Sequence, residues 1–198
     1  LGGRTGYVLF YQWPYFKAHP EAIFRIWEGG MSFHGGFLGL LAAMALFCRR
    51  RNVPFLHFTD IVATVAPIGI FFGRLANFIN GELYGRAADV PWAVVFPAGG
   101  DVPRHPSQLY EAVLEGLLLG IVLWWLALRR GALARRGLLS GLFLMGYGLG
   151  RMSVEMFREP DAQIGLYGGL VSQGQLLSLP MALAGAALTV AALRRRAL

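Results

Sequence analysis

The stretch Ser32–Arg51 reads SFHGGFLGLLAAMALFCRRR. Its apolar body runs without charge to Cys48 and stops on Arg49, Arg50 and Arg51. A bilayer is crossed by about 20 apolar residues, with a range of about 17–25. Ser32–Cys48 therefore predicts a membrane span closed by a basic stop. Working outward, four further stretches have the same character: His57–Phe78, Gln108–Leu128, Leu138–Phe157 and Gln173–Leu193. The apolar start Leu1–Gln12 predicts the end of a sixth, and with no methionine at position 1 it predicts further sequence before Leu1.

Three arginine clusters order these spans. Arg49–Arg51 follows the first, Arg129-Arg130 with Arg135-Arg136 the third, and Arg194–Arg196 the fifth, which accounts for ten of the 18 basic residues. An alternating path puts all three on one side, which the positive-inside rule makes the cytoplasm. The opposite, outer side receives Trp13–Met31, Asn80–Ser107 and Arg158–Ser172. The first carries Trp13, Tyr15, Phe16, Phe24 and Trp27, aromatics suited to the headgroup layer. The second holds Pro91, Pro97, Pro103 and Pro106 and predicts an ordered loop with a short hairpin around Trp92–Phe96. The fold expected is an all-α integral membrane protein. It is a polytopic helical bundle of about five full spans plus the end of another, one membrane domain over 1–198 with a periplasmic loop region at 80–107.

Composition agrees. Of 198 residues, 56% are hydrophobic and 15% charged, against about 25% charged in a soluble domain; mean hydropathy is +0.51. The net charge of +7 is topological in origin and points away from nucleic acid, since the arginines sit in short clusters after apolar runs. The single cysteine, Cys48, excludes an intrachain disulfide and reads as a small buried hydrophobe. Glycines at four-residue spacing (Gly35/Gly39, Gly69/Gly73, Gly81/Gly85, Gly116/Gly120) predict close helix packing. No inverted repeat of the transporter kind is visible.

Polar groups inside a bilayer are costly and usually functional or paired. Arg74 lies late in the second span, with Asn77 and Gly81 at i+3 and i+7, and Asn80, Glu82 and Arg86 continuing the polar run. It reads either as half of a structural Arg–Glu pair or as an anion-binding group. Tyr147, Arg151, Glu155 and Arg158 form one stripe on the fourth span. Glu155 there neutralises one arginine and leaves the other for an anion. His34 stands at the outer start of the first span, where Gly35 and Gly36 leave backbone open to a ligand, and histidine works as a base near neutral pH. Arg104 and His105 at the entrance of the third span are candidates to meet a headgroup. Glu111 and Glu115 are placed to pair with one of the arginines. His19 and His57 have no evident partner. Together the arginines suit a phosphate-bearing lipid headgroup, because the guanidinium presents a planar fork of donors. There is no Gly-x-Ser-x-Gly elbow, His-Glu-x-x-His pair, paired-carboxylate metal site or phosphate-binding glycine loop.

Five stretches carry a resemblance: Gly3–Tyr11 (GRTGYVLFY); Gly29–Gly36 (GGMSFHGG); Gly73–Arg86 (GRLANFINGELYGR); Arg104–Glu111 (RHPSQLYE); and Gly146-Tyr147-Gly148 through Arg151, Glu155, Phe157-Arg158 and Pro160–Gln163. On these the chain resembles the bacterial phosphatidylglycerol–prolipoprotein diacylglyceryl transferases over essentially its whole length. Gly73–Arg86 is the most specific; it carries Ala76 where the signature usually has a second glycine. The resemblance implies additional N-terminal membrane sequence with a functional tyrosine.

It also implies a transfer in the cytoplasmic (inner) membrane, acting toward the periplasmic side. The diacylglyceryl group of phosphatidylglycerol passes to the lipobox cysteine thiol of a prolipoprotein, giving a thioether and glycerol 1-phosphate. No metal or cofactor takes part. The implied catalytic residues are His34, Arg74 and Arg151. The implied substrate-binding residues are Asn77, Asn80, Glu82, Arg86, Arg104, Tyr147, Glu155 and Arg158. Two other classes remain beside it, a lipid-binding or transporting protein without chemistry and a membrane phosphatase on the same headgroups.

Overall fold

The computed structural model describes residues 1–159, 166–167 and 171–195. Pro160–Gln163 of the fifth matching stretch and Arg196 of the last arginine cluster lie outside the described residues. All five apolar stretches are helical, and the chain forms two compact units, Leu1–Phe58 and Thr59–Leu198.

In the first unit, α1 (Gly2–Phe10) packs on α3 (Phe33–Arg51). The contact is made by glycines: a Cβ on Gly35 would meet the Gly6 Cα at 2.9 Å, and one on Gly39 the Gly2 Cα at 3.0 Å. Side chains are absent so that the backbones can touch, which is the packing the Gly35/Gly39 spacing predicts. Between them, α2 (Trp13–Ala18) and two short 3-10 turns form the aromatic arm. Its anchor is Arg4, 7% exposed. The guanidinium donates to the carbonyls of Ala22 (2.6 Å), Ile23 (3.0 Å), Arg25 (3.1 Å), Gly29 (2.5 Å) and Gly30 (3.2 Å) and lies over the Phe16 ring. The charge is spent on backbone oxygens, and Phe16 joins Val8 and Ala22 in a small core. Ser32 caps α3 by accepting from the Gly35 N–H.

The second unit takes in all of α4 (Phe55–Ile79) except its first turn. It continues with a helix running Ser107–Arg129, made of α5 (Ser107–Glu111), a π-helical segment (Ala112–Leu118) and α6 (Leu119–Arg129). Then come α7 (Leu138–Val154) and α8 (Gln173–Arg194). By length and composition, Phe55–Ile79, Ser107–Arg129 and Gly174–Arg194 can each cross a membrane; Leu138–Val154 is a shorter apolar helix. Their outer faces stay apolar: Ile68, Phe72, Ile121, Trp125, Leu177 and Leu183 are among the exposed side chains. Water penalises such a surface and lipid does not.

Glycine again sets the spacing. Gly141 and Gly148 on α7 face Thr189 and Ser178–Ala182 on α8, where an added Cβ would come within 2.6–3.1 Å. Gly116 lies against Phe71 of α4, and Gly120 against Pro67. A core of Leu123, Ala132, Leu138, Leu139 and Ala192 closes the arginine-cluster end.

That end also holds Asp60, which is wholly buried. The residue before α7 is Gly137, at φ 89, and it has no side chain to cap the helix. Asp60 of α4 supplies the cap instead. Its carboxylate accepts from the Gly137 N–H (2.6 Å), the Ser140 N–H (2.7 Å) and the Ser140 hydroxyl (2.7 Å). Unpaired helix N–H groups are costly in hydrocarbon, so this bond ties the two helices together.

The other end carries the proline-rich loop of residues 80–107. Strands β1 (Val94–Val95) and β2 (Pro103–Arg104) pair antiparallel, so the hairpin expected around Trp92–Phe96 is present. Gly85 bridges to Arg158, and a Cβ there would sit 2.7 Å from the His105 Cβ. Asp60→Ala orphans two buried N–H groups at about 1–3 kcal/mol each. A fall of several degrees in the melting temperature of the purified chain in detergent is expected, with Asp60→Asn less severe; an unchanged Tm contradicts the cap.

Candidate active site

At the loop end of the second unit three arginines converge on one carboxylate. Glu111, wholly buried, is the last residue of α5. Its Oε2 lies 3.0 Å from Arg74 Nε, and its Oε1 takes Arg158 Nη1 at 3.4 Å together with Arg151 Nη1. Arg151 also pairs through Nη2 with Glu155 Oε2 at 2.8 Å. The arginine side chains are 10–19% exposed.

The placement follows from the local fold. Arg74 is carried by α4 and Arg151 by α7, whose regular turn sets Glu155 one turn on. Gly174 leaves room for Glu155, since a Cβ there would sit 2.6 Å from its Oε2. The sequence stripe needs one correction: α7 ends at Val154, and Arg158 is brought in by its bridge to Gly85. A second concerns the carboxyls. Glu111 pairs with all three arginines, whereas Glu115 has no ion pair among the described residues. Glu155 does pair with one arginine of the stripe, Arg151, as expected, but the other, Arg158, is not left open, because Glu111 pairs with it.

Glu82 is clasped above this cluster. Its Oε1 accepts from Asn77 Nδ2 (3.0 Å) and Asn80 Nδ2 (3.2 Å). Those two bonds, Asn77's the larger effect, hold its carboxyl below the usual range. Its carbonyl accepts from the buried Gln108 (2.7 Å), which fastens the Gly73–Arg86 stretch to the Ser107–Arg129 helix. Arg86 donates to the Arg158 carbonyl at 2.9 Å. Arg104 is committed to the loop: it meets Glu159 at 3.0 Å, bonds the Gly85 and Gly99 carbonyls and stacks over Tyr84. His105 and Trp92 both reach the Tyr110 hydroxyl. Tyr147, half-buried on α7, stacks on Phe143. His34 is exposed on the first turn of α3, in the first unit.

The structure thus joins Arg74, Arg151, Arg158 and Glu155 in one cluster and puts Asn77, Asn80 and Glu82 in a clasp. Arg86 and Arg104 hold the loop. Glu111 is the residue the sequence undervalued. Its signals were a carboxylate at the mouth of an apolar run and a place at the end of the matching stretch Arg104–Glu111.

Fold and site define a helical membrane protein with a buried arginine–carboxylate centre suited to an anionic group. The particular family follows from comparison. The family model described as prolipoprotein diacylglyceryl transferase matches residues 1–191, and the chain belongs to that family. Proteins named phosphatidylglycerol–prolipoprotein diacylglyceryl transferase are similar throughout. The one from Methylocella silvestris is 56% identical over 100% of this chain and 72% of its own length. That from Idiomarina loihiensis is 58% identical over 97% and 71%, and that from Rhodospirillum rubrum 59% identical over 100% and 73%.

Two outcomes test the site's construction. Glu111→Gln leaves three arginines sharing one fewer carboxylate, and breaking such a buried pair costs about 3–5 kcal/mol. Thermal unfolding in detergent reads that loss, which added anionic phospholipid restores in part. Glu82 titrates below its ordinary value when folded, so the unfolded state binds more protons as pH falls. The clasp's contribution is present at neutral pH and lost as pH drops below about 4. Glu82→Ala therefore lowers Tm at pH 7 and converges with the unmodified chain in acid.

Proposed function

We propose that this chain transfers the diacylglyceryl group of phosphatidylglycerol to the lipobox cysteine thiol of a prolipoprotein, releasing glycerol 1-phosphate. The observation that carries the reading is the convergence of Arg74, Arg151 and Arg158 in a family member whose relatives bear that name. The reaction joins sulfur to a carbon of the diacylglyceryl unit and breaks that carbon's bond to the phosphate oxygen. Negative charge grows on the phosphate as the bond breaks. Fixed guanidinium groups aimed at that charge stabilise the transition state.

Arg74 and Arg151 are assigned this role. They exchange part of their hold on Glu111 for the phosphate, and Arg158 keeps Glu111 neutralised. Asn77, Asn80 and Tyr147 position the headgroup. Glu82, Arg86, Arg104 and Glu155 order the loop and the arginines. The thiol, with an ordinary pKa of about 8.5, attacks as thiolate. His34 is assigned the thiol base or a headgroup contact; its role rests on the Gly29–Gly36 resemblance and is read by its own variant. The topology proposed has five full spans with the arginine clusters in the cytoplasm. The enzyme then lies in the bacterial inner membrane with Arg74 and Arg151 toward the periplasm. Membrane lipids surround it, nucleic acid is not a partner, and no metal or cofactor is required.

Lipid transfer to a lipobox peptide, with phosphatidylglycerol as donor, tests this directly. Arg74→Ala and Arg151→Ala are each expected to cut the rate by about 10²–10³-fold; full activity in Arg151→Ala contradicts the arginine role. The products separate the alternatives: glycerol phosphate marks the transferase, inorganic phosphate a phosphatase, and binding without product a carrier.

A further inference from the structure

One buried acid of the site is unaccounted for. Glu115 lies on the π-helical segment, wholly buried, and neither of its oxygens has a hydrogen-bond partner among the described residues. It packs against Gly150, next to Arg151, where a Cβ would come 3.3 Å from the Glu115 Cγ. The charged groups facing it are Arg74 from α4, Glu111 from α5, and Arg151 and Arg158 from α7 and the segment after it. Tyr147 of α7 shares the same field. π-Helical turns within α-helices gather at functional sites.

The charges decide what an incoming anion meets. Arg74, Arg151 and Arg158 stand with Glu111, Glu155 and Glu115. With every group charged the cluster is balanced. An anion entering alone would leave a net negative charge buried in low dielectric, which is strongly unfavourable. Among the described residues Glu111 and Glu155 are each ion-paired to arginine, and Glu115 is not. We propose that a phosphodiester enters this site together with one proton, which Glu115 takes up. The anion replaces Glu115 as the third negative charge, and the neutral carboxyl remains behind the arginines. This inference rests on the anion-binding reading of the site.

The test uses the purified full chain in detergent with phosphatidylglycerol as the probe, whose phosphodiester does not titrate near neutrality. Calorimetry in buffers of different ionisation enthalpy counts protons taken up on binding. Uptake is expected to rise with pH, approaching one proton per lipid on the alkaline side of neutrality, where affinity falls up to about tenfold per pH unit. Glu115→Gln should bind the lipid without uptake and with an affinity flat in pH. No uptake by the unmodified chain, or undiminished uptake by Glu115→Gln, overturns the proposal. Should Glu115→Gln fail to fold, infrared difference spectra of the unmodified chain with a dialkyl phosphatidylglycerol, which has no ester carbonyl of its own, decide: a carboxylic acid C=O band appears on lipid addition, and its absence overturns the proposal. Transfer activity without proton uptake sinks this inference alone. Proton-coupled binding without transfer sinks only the transferase reading, and no lipid binding sinks both.

Discussion

The structure depends most on a carboxylate that cannot reach water. Glu111 is wholly buried, and a lone charge in that position would be prohibitively costly. It is tolerated because Arg74, Arg151 and Arg158 arrive from separate parts of the chain to neutralise it. The same bonds hold the loop-side ends of α4, the Ser107–Arg129 helix and α7 in register. They also confine a group of poorly hydrated guanidiniums, which on the proposed function an anionic substrate would engage without first stripping water from them. On that proposal, stability and chemistry draw on one set of contacts, so a change at Glu111 would touch both.

The opposite end of the same unit solves a related problem with different residues. Gly137 permits the tight turn into α7 but offers no cap, and Asp60 of α4 provides one. Between the two ends the helices approach along glycine, at Gly141, Gly148 and Gly185 on the α7–α8 seam and at Gly116 on Phe71. With lipid as solvent there is little hydrophobic drive between helices, so close backbone contact and buried polar bonds hold the bundle. In the first unit Arg4 has the corresponding place, with its donors spent on five carbonyls of the aromatic arm.

Much of this was legible in the sequence because membrane folding is dominated by one local signal. The apolar runs gave helices within a few residues of their ends, and the Gly35/Gly39 and Gly116/Gly120 spacings marked true contacts. Arg74, Arg151 and Glu155 could be found because a charge inside an apolar run demands a reason. What stayed hidden was long-range pairing. Glu111 meets Arg151 and Arg158 across separations of 40 and 47 residues, and Asp60 meets α7 across 77 and 80. No periodicity encodes these. Arg104, read as a candidate headgroup contact, meets Glu159 and Tyr84, partners from elsewhere in the fold that its local sequence does not reveal. In the sequence Glu111 and Glu115 are both placed to pair with one of the arginines, but the π-helical segment that carries Glu115 and the partners that separate the two are not written in the local sequence.

The central claim is that the arginines gathered by Glu111 receive the phosphate of the lipid. A structure of the chain with phosphatidylglycerol bound tests it most directly. The account predicts the phosphate oxygens within hydrogen-bond distance of the Arg74 and Arg151 guanidiniums, with Arg158 still on Glu111. A phosphate bound elsewhere, with both arginines fully retained by Glu111 and Glu155, would contradict it.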